Sequence, residues 1–170
     1  VIEKTIRICW KMDMSKVNNV TRFLDSHHIA YTVFELPEEK LSANEAAQIL
    51  NIPDQLVFKT IVVLRDGKGK PILALVPGSK EVNLKSLAKA VGEKKLQIAT
   101  QREAEKLTGL LSGGISPLAL INRGFQVIID QSALLHEQIY VSGGQRGLNI
   151  RLSPQDIINL TRAHVAEISF

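Results

Sequence analysis

The chain has 170 residues, 45% of them hydrophobic, with a net charge of +4 and a pI of about 9.3. This is enough apolar chain for one domain with a buried core and excludes wholesale disorder, while the mild basicity is compatible with an anionic partner without requiring one. The single cysteine, Cys9, excludes an internal disulfide and a Cys-based zinc site and suits a reducing cytoplasm, and no apolar run approaches the ~18–20 residues of a membrane span.

Residues 1–14, "VIEKTIRICWKMDM", lack the apolar core of a signal peptide and read as an extension ahead of one domain over residues 15–170. Cys9 and Trp10 fall in it and take no assigned role. Ser15 is placed to cap a helix with Val17, Val20, Phe23 and Leu24 on one face, ending near His27 and His28. "YTVFE" (31–35) alternates as a strand. Ser42 and Glu45 form a capping box for "AAQIL", which Pro53 stops. "LVFKTIVVL" (56–64) is a buried strand, "RDGKGK" a turn, and "PILALVP" (71–77) the returning arm of a hairpin. Asn83 caps a helix with Leu84, Leu87, Ala88 and Val91 inward, closed by Gly92. "KLQIA" is a strand, and Thr100 with Glu103 opens a short helix. "FQVIID" (125–130), "QIYVSGG" (138–144) and "LNIRL" (148–152) are strands. Ser153-Pro154 starts the last helix, and "VAEIS" closes as an edge strand. Strands dominate, helices are short, and βα units do not alternate. That predicts an α+β fold: a mixed, strongly curved sheet with helices outside it.

The familiar catalytic kits are absent. No pair of histidines or His and Glu has metal-ligand spacing, and there is no nucleophile elbow or Walker loop. His27, His28, His136 and His164 read as surface histidines. Lys59 stands out, a cation inside the most apolar strand. Such a lysine must snorkel, pair or face a cavity, because an unpaired buried ammonium is costly. It is either a sheet-face lysine reaching solvent or a cation placed for an anionic group. Strict alternation puts Phe58 and Thr60 on one face and Val57, Lys59 and Ile61 on the other.

Two glycine loops, "GLLSGGISPLAL" (109–120) and "YVSGGQRGLNI" (140–150), share a Ser-Gly-Gly triplet. Glycine permits close backbone approach and φ > 0, and successive N–H groups can form an anion-binding nest. Gly113-Gly114 and Gly143-Gly144 are therefore either tight turns or paired backbone donors. Arg146 is either a surface arginine or a phosphate contact.

"VFKT", "GGISPL" and "YVSGGQRGL", in this order and spacing, resemble the YbaK/ProX aminoacyl-tRNA deacylases and the related editing domain of bacterial prolyl-tRNA synthetases. The resemblance runs from about Ser15 onward and is closest to the YbaK branch. It implies one α+β domain on a curved, barrel-like mixed sheet. It implies a trans-editing enzyme acting on Cys-tRNA(Pro), and on Cys-tRNA(Cys), with Ala-, Ser- or other small aminoacyl-tRNAs as the alternative; a non-catalytic tRNA-binding module is a second. The family's essential lysine falls on Lys59 and its first loop on Gly113 to Pro117, which makes Lys59 and Gly113 the catalytic pair. Phe58, Thr60, Gly114, Ile115, Ser116, Pro117, Ser142, Gly143, Gly144, Arg146 and Asn149 are the implied substrate-binding residues. Asn149 departs from the Asp of some YbaK members. The "FELPEE" segment departs from the His and Tyr that members often carry there.

The resemblance implies no metal and no cofactor. The partners are the aminoacylated 3′ end of tRNA and prolyl-tRNA synthetase, and the protein is expected to be a cytoplasmic monomer. Ester cleavage builds negative charge on the carbonyl oxygen, which backbone N–H groups can stabilise. Lys59 either stabilises the same charge or holds the terminal phosphate. With no activated nucleophile in the sequence, the substrate supplies it, and for a cysteinyl ester that is its own thiol.

Overall fold

The computed structural model describes residues 17–170 and the backbone of residues 8–9. In chain order these form β1 (Ile8–Cys9), α1 (Asn19–Ser26), β2 (Tyr31–Glu35), α2 (Ala43–Leu50), β3 (Phe58–Arg65), β4 (Ile72–Pro77), α3 (Leu84–Val91), β5 (Leu96–Ile98), α4 (Gln101–Thr108), β6 (Gln126–Asp130), β7 (Ile139–Ser142), β8 (Leu148–Leu152), α5 (Pro154–Thr161) and β9 (His164–Ala166). The expected caps at Ser42, Asn83, Thr100 and Ser153 are present. The first helix differs. Asn18 caps it, accepting the Thr21 N–H at 3.0 Å, so Val17 lies before the helix and is exposed rather than inward. Ser15 lies outside the described residues.

The strands divide into two sheets rather than one. The first, in the order β1-β2-β8-β7, is antiparallel throughout; the second, β5-β3-β4-β6-β9, is mixed, with β4, β6 and β9 parallel. The division falls at β3. One edge of this strand pairs with β4 from Phe58 to Val63, while the other meets β5 only from Val63 onward. Just ahead of it, Val57 makes an isolated bridge to Tyr140 of β7.

Three apolar clusters hold these layers. The largest lies between the sheets, joining Val62, Leu73, Leu75 and Ile129 to Ile139, Val141, Ile150 and Leu152. The outer face of the mixed sheet packs Val63, Ile72, Ala74 and Val76 under Leu87 and Ala88 of α3. The outer face of the antiparallel sheet packs Phe34 and Tyr140 under Ala46, Ala47 and Leu50 of α2. Because β4 is covered on both faces, it is buried along its whole length, which explains its unbroken apolar run.

Asp130 anchors the far side of the mixed sheet. It is buried and accepts from the Ser132 N–H and hydroxyl and from the Ile168 N–H, the last at 2.9 Å. Burial opposes its charge, but these hydrogen bonds outweigh that and hold the carboxyl below the usual Asp value. A carboxylate depressed in the folded state contributes stability above its unfolded pKa, and this is lost as pH falls through the folded value. Asp130→Asn is therefore expected to lower Tm at neutral pH and to flatten the loss of stability as pH falls below the unfolded Asp value of about 3.9. Parallel acid titrations of the two proteins, with no change in slope, would count against this role.

Candidate active site

A cavity of about 210 Å³ opens where α2, β3, β8 and the loop after α4 converge. Its wall includes Phe58, Lys59 and Thr60 from β3, Gly113 and Ile115 from the first glycine loop, and Ser142 and Asn149 from β7 and β8. The cavity is smaller than the ~300–1,000 Å³ of drug-sized sites, which suits a group the size of an amino-acid side chain. A further part of the wall comes from Leu36, Glu39 and Leu41 and from Ser42, Ala43 and Ala46 at the start of α2. None of these was expected. Their only sequence signal is the pair of alanines at helical spacing, which leaves the first turn of α2 without bulk on one face.

Lys59 reaches the wall from the start of β3. Its side chain is 22% exposed, and its ammonium donates to Glu81 Oε1 at 3.0 Å. Of the three ways such a lysine can be satisfied, two are present: it lines a cavity and it is paired.

The two glycine loops form one unit. Arg146 Nε donates to the Ser112 carbonyl at 2.7 Å, and Ser142 Oγ lies 3.4 Å from the Gly113 carbonyl. Gly114 lies so close to the second loop that a Cβ there would sit 2.8 Å from the Gln145 carbonyl carbon. Most of the expected donors are spent inside this unit. Gly114 N–H donates to the Leu111 carbonyl, Gly143 N–H to the Leu148 carbonyl, and Gly144 N–H leans on Ser142 Oγ at 3.4 Å. Gly113 (φ +90°) lines the cavity, and among the described residues its N–H has no acceptor.

Six expected substrate contacts are absent from the wall: Gly114, Ser116, Pro117, Gly143, Gly144 and Arg146. Ser116 is fully buried, and its hydroxyl caps the 3-10 turn Pro117–Ala119 by accepting the Leu118 N–H. Pro117 opens that turn and borders a second cavity of about 510 Å³ with Phe23, Leu120 and Phe125. Arg146 clasps Ser112 where a phosphate contact was considered. Gly143 and Gly144 are packed against Leu148 and against Ala119 and Val20.

Asn149 carries the polar feature that the fold leaves open. It lies on β8 opposite Phe34 and Ser142, is 7% exposed, and lines the cavity. Its Oδ1 is buried with no hydrogen-bond partner among the described residues. An orphaned buried acceptor costs about 1–3 kcal/mol. Recovering that cost takes a turn of the Asn149 side chain toward the cavity, where a ligand N–H or O–H can reach it.

Residues 37–160 match the sequence profile of the aminoacyl-tRNA editing domain, a span that contains the first-loop glycines, Lys59 and Asn149. The chain belongs to this aminoacyl-tRNA editing family. Among curated relatives, EbsC of Enterococcus faecalis, provisionally named a Cys-tRNA(Pro)/Cys-tRNA(Cys) deacylase, is 35% identical over 94% of this chain and 97% of its own. The prolyl-tRNA editing protein ProX of Acetoanaerobium sticklandii is 27% identical over 90% and 94%. A crystal structure described provisionally as a trans-editing enzyme for prolyl-tRNA synthetase superposes with a TM-score of 0.75 at 28% identity, covering 91% of this chain and 99% of that one. The editing-family fold is thus an α+β arrangement that this chain shares along nearly its whole length.

Proposed function

We propose that this editing-family protein is a trans-editing deacylase that clears misacylated tRNA, with Cys-tRNA(Pro) as its preferred substrate and Cys-tRNA(Cys) as a second. The observation that carries the proposal is the content of the small cavity. Among the described residues its wall holds Lys59, the unused Gly113 N–H and the orphaned Asn149 acceptor, and no histidine. Such a site can bind and polarise an ester without attacking it. Lys59 and the Gly113 N–H stabilise the charge that develops on the carbonyl oxygen, and Asn149 Oδ1 accepts from the α-amino group. The substrate's thiol sulfur bonds to the ester carbon, and the carbon–ribose oxygen bond breaks. The thiol proton passes to that ribose oxygen, freeing the tRNA and a thiolactone that water opens.

Residues 15–170 act in this reading as one monomeric domain in the cytoplasm, its two sheets wrapped barrel-like around their shared core. The +4 charge supplies weak, salt-sensitive attraction to tRNA, and a prolyl-tRNA synthetase partner supplies selection. Editing is needed because a binding pocket separates substrates that differ by a methylene by only ~10–200-fold.

A panel of Cys-, Ala-, Ser- and Pro-tRNA(Pro) and Cys-tRNA(Cys) tests the proposal. Cys-tRNA(Pro) should lose its ester fastest, while Pro-tRNA(Pro) survives. Faster loss of alanine would replace the substrate assignment, and tRNA binding without ester loss would overturn the enzyme. Asn149→Leu separates binding from folding. Removing the orphaned acceptor is expected to leave Tm unchanged or raise it by a few degrees, at about 2–4 °C per kcal/mol. The same change should lower kcat/KM about tenfold by loss of one hydrogen bond. A lower Tm with unchanged kinetics would contradict the assignment.

A further inference from the structure

Glu81 is the counter-ion of the lysine on which the proposed reaction depends, and the fold places it there independently of that lysine. It lies in the connection from β4 to α3. At one end of the connection the Gly78 N–H donates to the Val57 carbonyl at 2.7 Å, and the Gly78 backbone is tucked under the first turn of α2, where a Cβ would meet Ala43 Cβ at 2.8 Å. At the other end a short ribbon pins the backbone. Glu81 N–H donates to the Phe170 carbonyl at 3.1 Å, Phe170 N–H to the Glu81 carbonyl at 3.0 Å, and Asn83 N–H to the Ile168 carbonyl at 2.7 Å. Ile168 is fully buried in the cluster under α3, and its own N–H is held by Asp130.

The Glu81 carboxylate, 72% exposed, meets Lys59 from this fixed backbone. An exposed ion pair adds little to folding stability, so stability gives no reason for a carboxylate carried on so firmly held a backbone. Lysine, with four rotatable bonds, loses much rotamer freedom when its ammonium must sit at one place. We propose that Glu81 is the positioning residue of the site: it holds the Lys59 ammonium at the cavity wall, so that the cation is in place before the ester arrives. The inference rests on the reading of Lys59 as the cation that stabilises the reacting ester.

The test compares Glu81→Ala, Glu81→Gln and Phe170→Pro with the parent protein, using Cys-tRNA(Pro). Proline at 170 deletes the N–H that fixes the Glu81 carbonyl without altering either charged side chain. Glu81→Ala should lower kcat about two- to fivefold at unchanged KM, in keeping with a partly exposed pair, and Glu81→Gln should fall between alanine and the parent. Phe170→Pro should lower kcat in the same direction and add nothing to Glu81→Ala when the two are combined. Nuclear relaxation at Lys59 Cε gives a readout free of turnover: its order parameter should fall in all three variants.

Unchanged kcat in Glu81→Ala, a lowered KM, which would make Glu81 a competitor of the substrate, or an unchanged Lys59 order parameter would each overturn the inference. Lys59→Ala serves as the control. If the parent cleaves no aminoacyl-tRNA, the functional reading fails on its own, and the relaxation measurement still decides whether Glu81 holds Lys59.

Discussion

Lys59→Ala should lower kcat/KM for Cys-tRNA(Pro) by about 10²–10³-fold, the scale seen when one group stabilising a developing oxyanion is removed. Tm should change little, since the lysine's ion pair is with a largely exposed carboxylate and such pairs contribute about 1 kcal/mol at most. Lys59→Arg should not rescue the reaction. A planar guanidinium is wider than an ammonium and fixes its donors in a fork, and the cavity it would enter is only about 210 Å³. The contrast with Glu81 is part of the expectation: loss of the cation removes the charge stabilisation, whereas loss of its counter-ion only blurs where the cation sits. Deacylation of Cys-tRNA(Pro) by a folded Lys59→Ala protein at the parent rate would remove Lys59 from the chemistry and, with it, the case for this cavity as the reacting site.

Lys59 was legible in the sequence because a charge inside an apolar strand has few ways to be satisfied, and each way puts it at a surface or a cavity. The caps at Ser42, Asn83, Thr100 and Ser153 and the β3–β4 hairpin were legible for a similar reason, since capping and turn chemistry act over three or four residues. What the sequence concealed depends on contacts across the chain. The cavity wall from Leu36 to Ala46 meets β8 only because Tyr31 to Glu35 pair with Leu148 to Leu152, more than a hundred residues later. The orphaned state of Asn149 Oδ1 exists only once Phe34 and Ser142 have been brought to its sides.

The glycine loops show how a motif can be found before its use is known. Two runs of potential donors are plain in the sequence, but whether an N–H is free depends on which carbonyl the fold sets against it. Leu111 and Leu148 take two of them. Ser116 is a second case: a serine directly before a proline is a natural cap for a tight helical turn, and it serves as one here.

Gly114→Ala is the substitution expected to damage the fold most at the site. The added Cβ would lie 2.8 Å from the Gln145 carbonyl carbon and 2.9 Å from both the Arg146 nitrogen and Gln145 Cα. All three are backbone atoms, so no side chain can swing aside. That backbone is itself held by the Arg146–Ser112 hydrogen bond and by the Gly147 carbonyl, which accepts the Leu36 N–H at 2.9 Å. The two loops must therefore separate, at a cost typical of overpacking, about 1–3 kcal/mol. Thermal melts should show this as a fall of roughly 2–4 °C per kcal/mol. Separation also moves Gly113 and Ile115 away from Ser142 and widens the cavity, so discrimination should suffer along with rate: Cys-tRNA(Pro) cleavage slows while Pro-tRNA(Pro) becomes less protected. Gly113→Ala makes the useful comparison. Its Cβ would meet nothing closer than 3.5 Å, and its cost is confined to the φ of +90° that alanine resists. If the loops act through the shape they hold together, Gly114→Ala relaxes specificity and Gly113→Ala does so far less. Equal loss of specificity in both variants would mean that the loops act as separate turns, with no shared wall to keep.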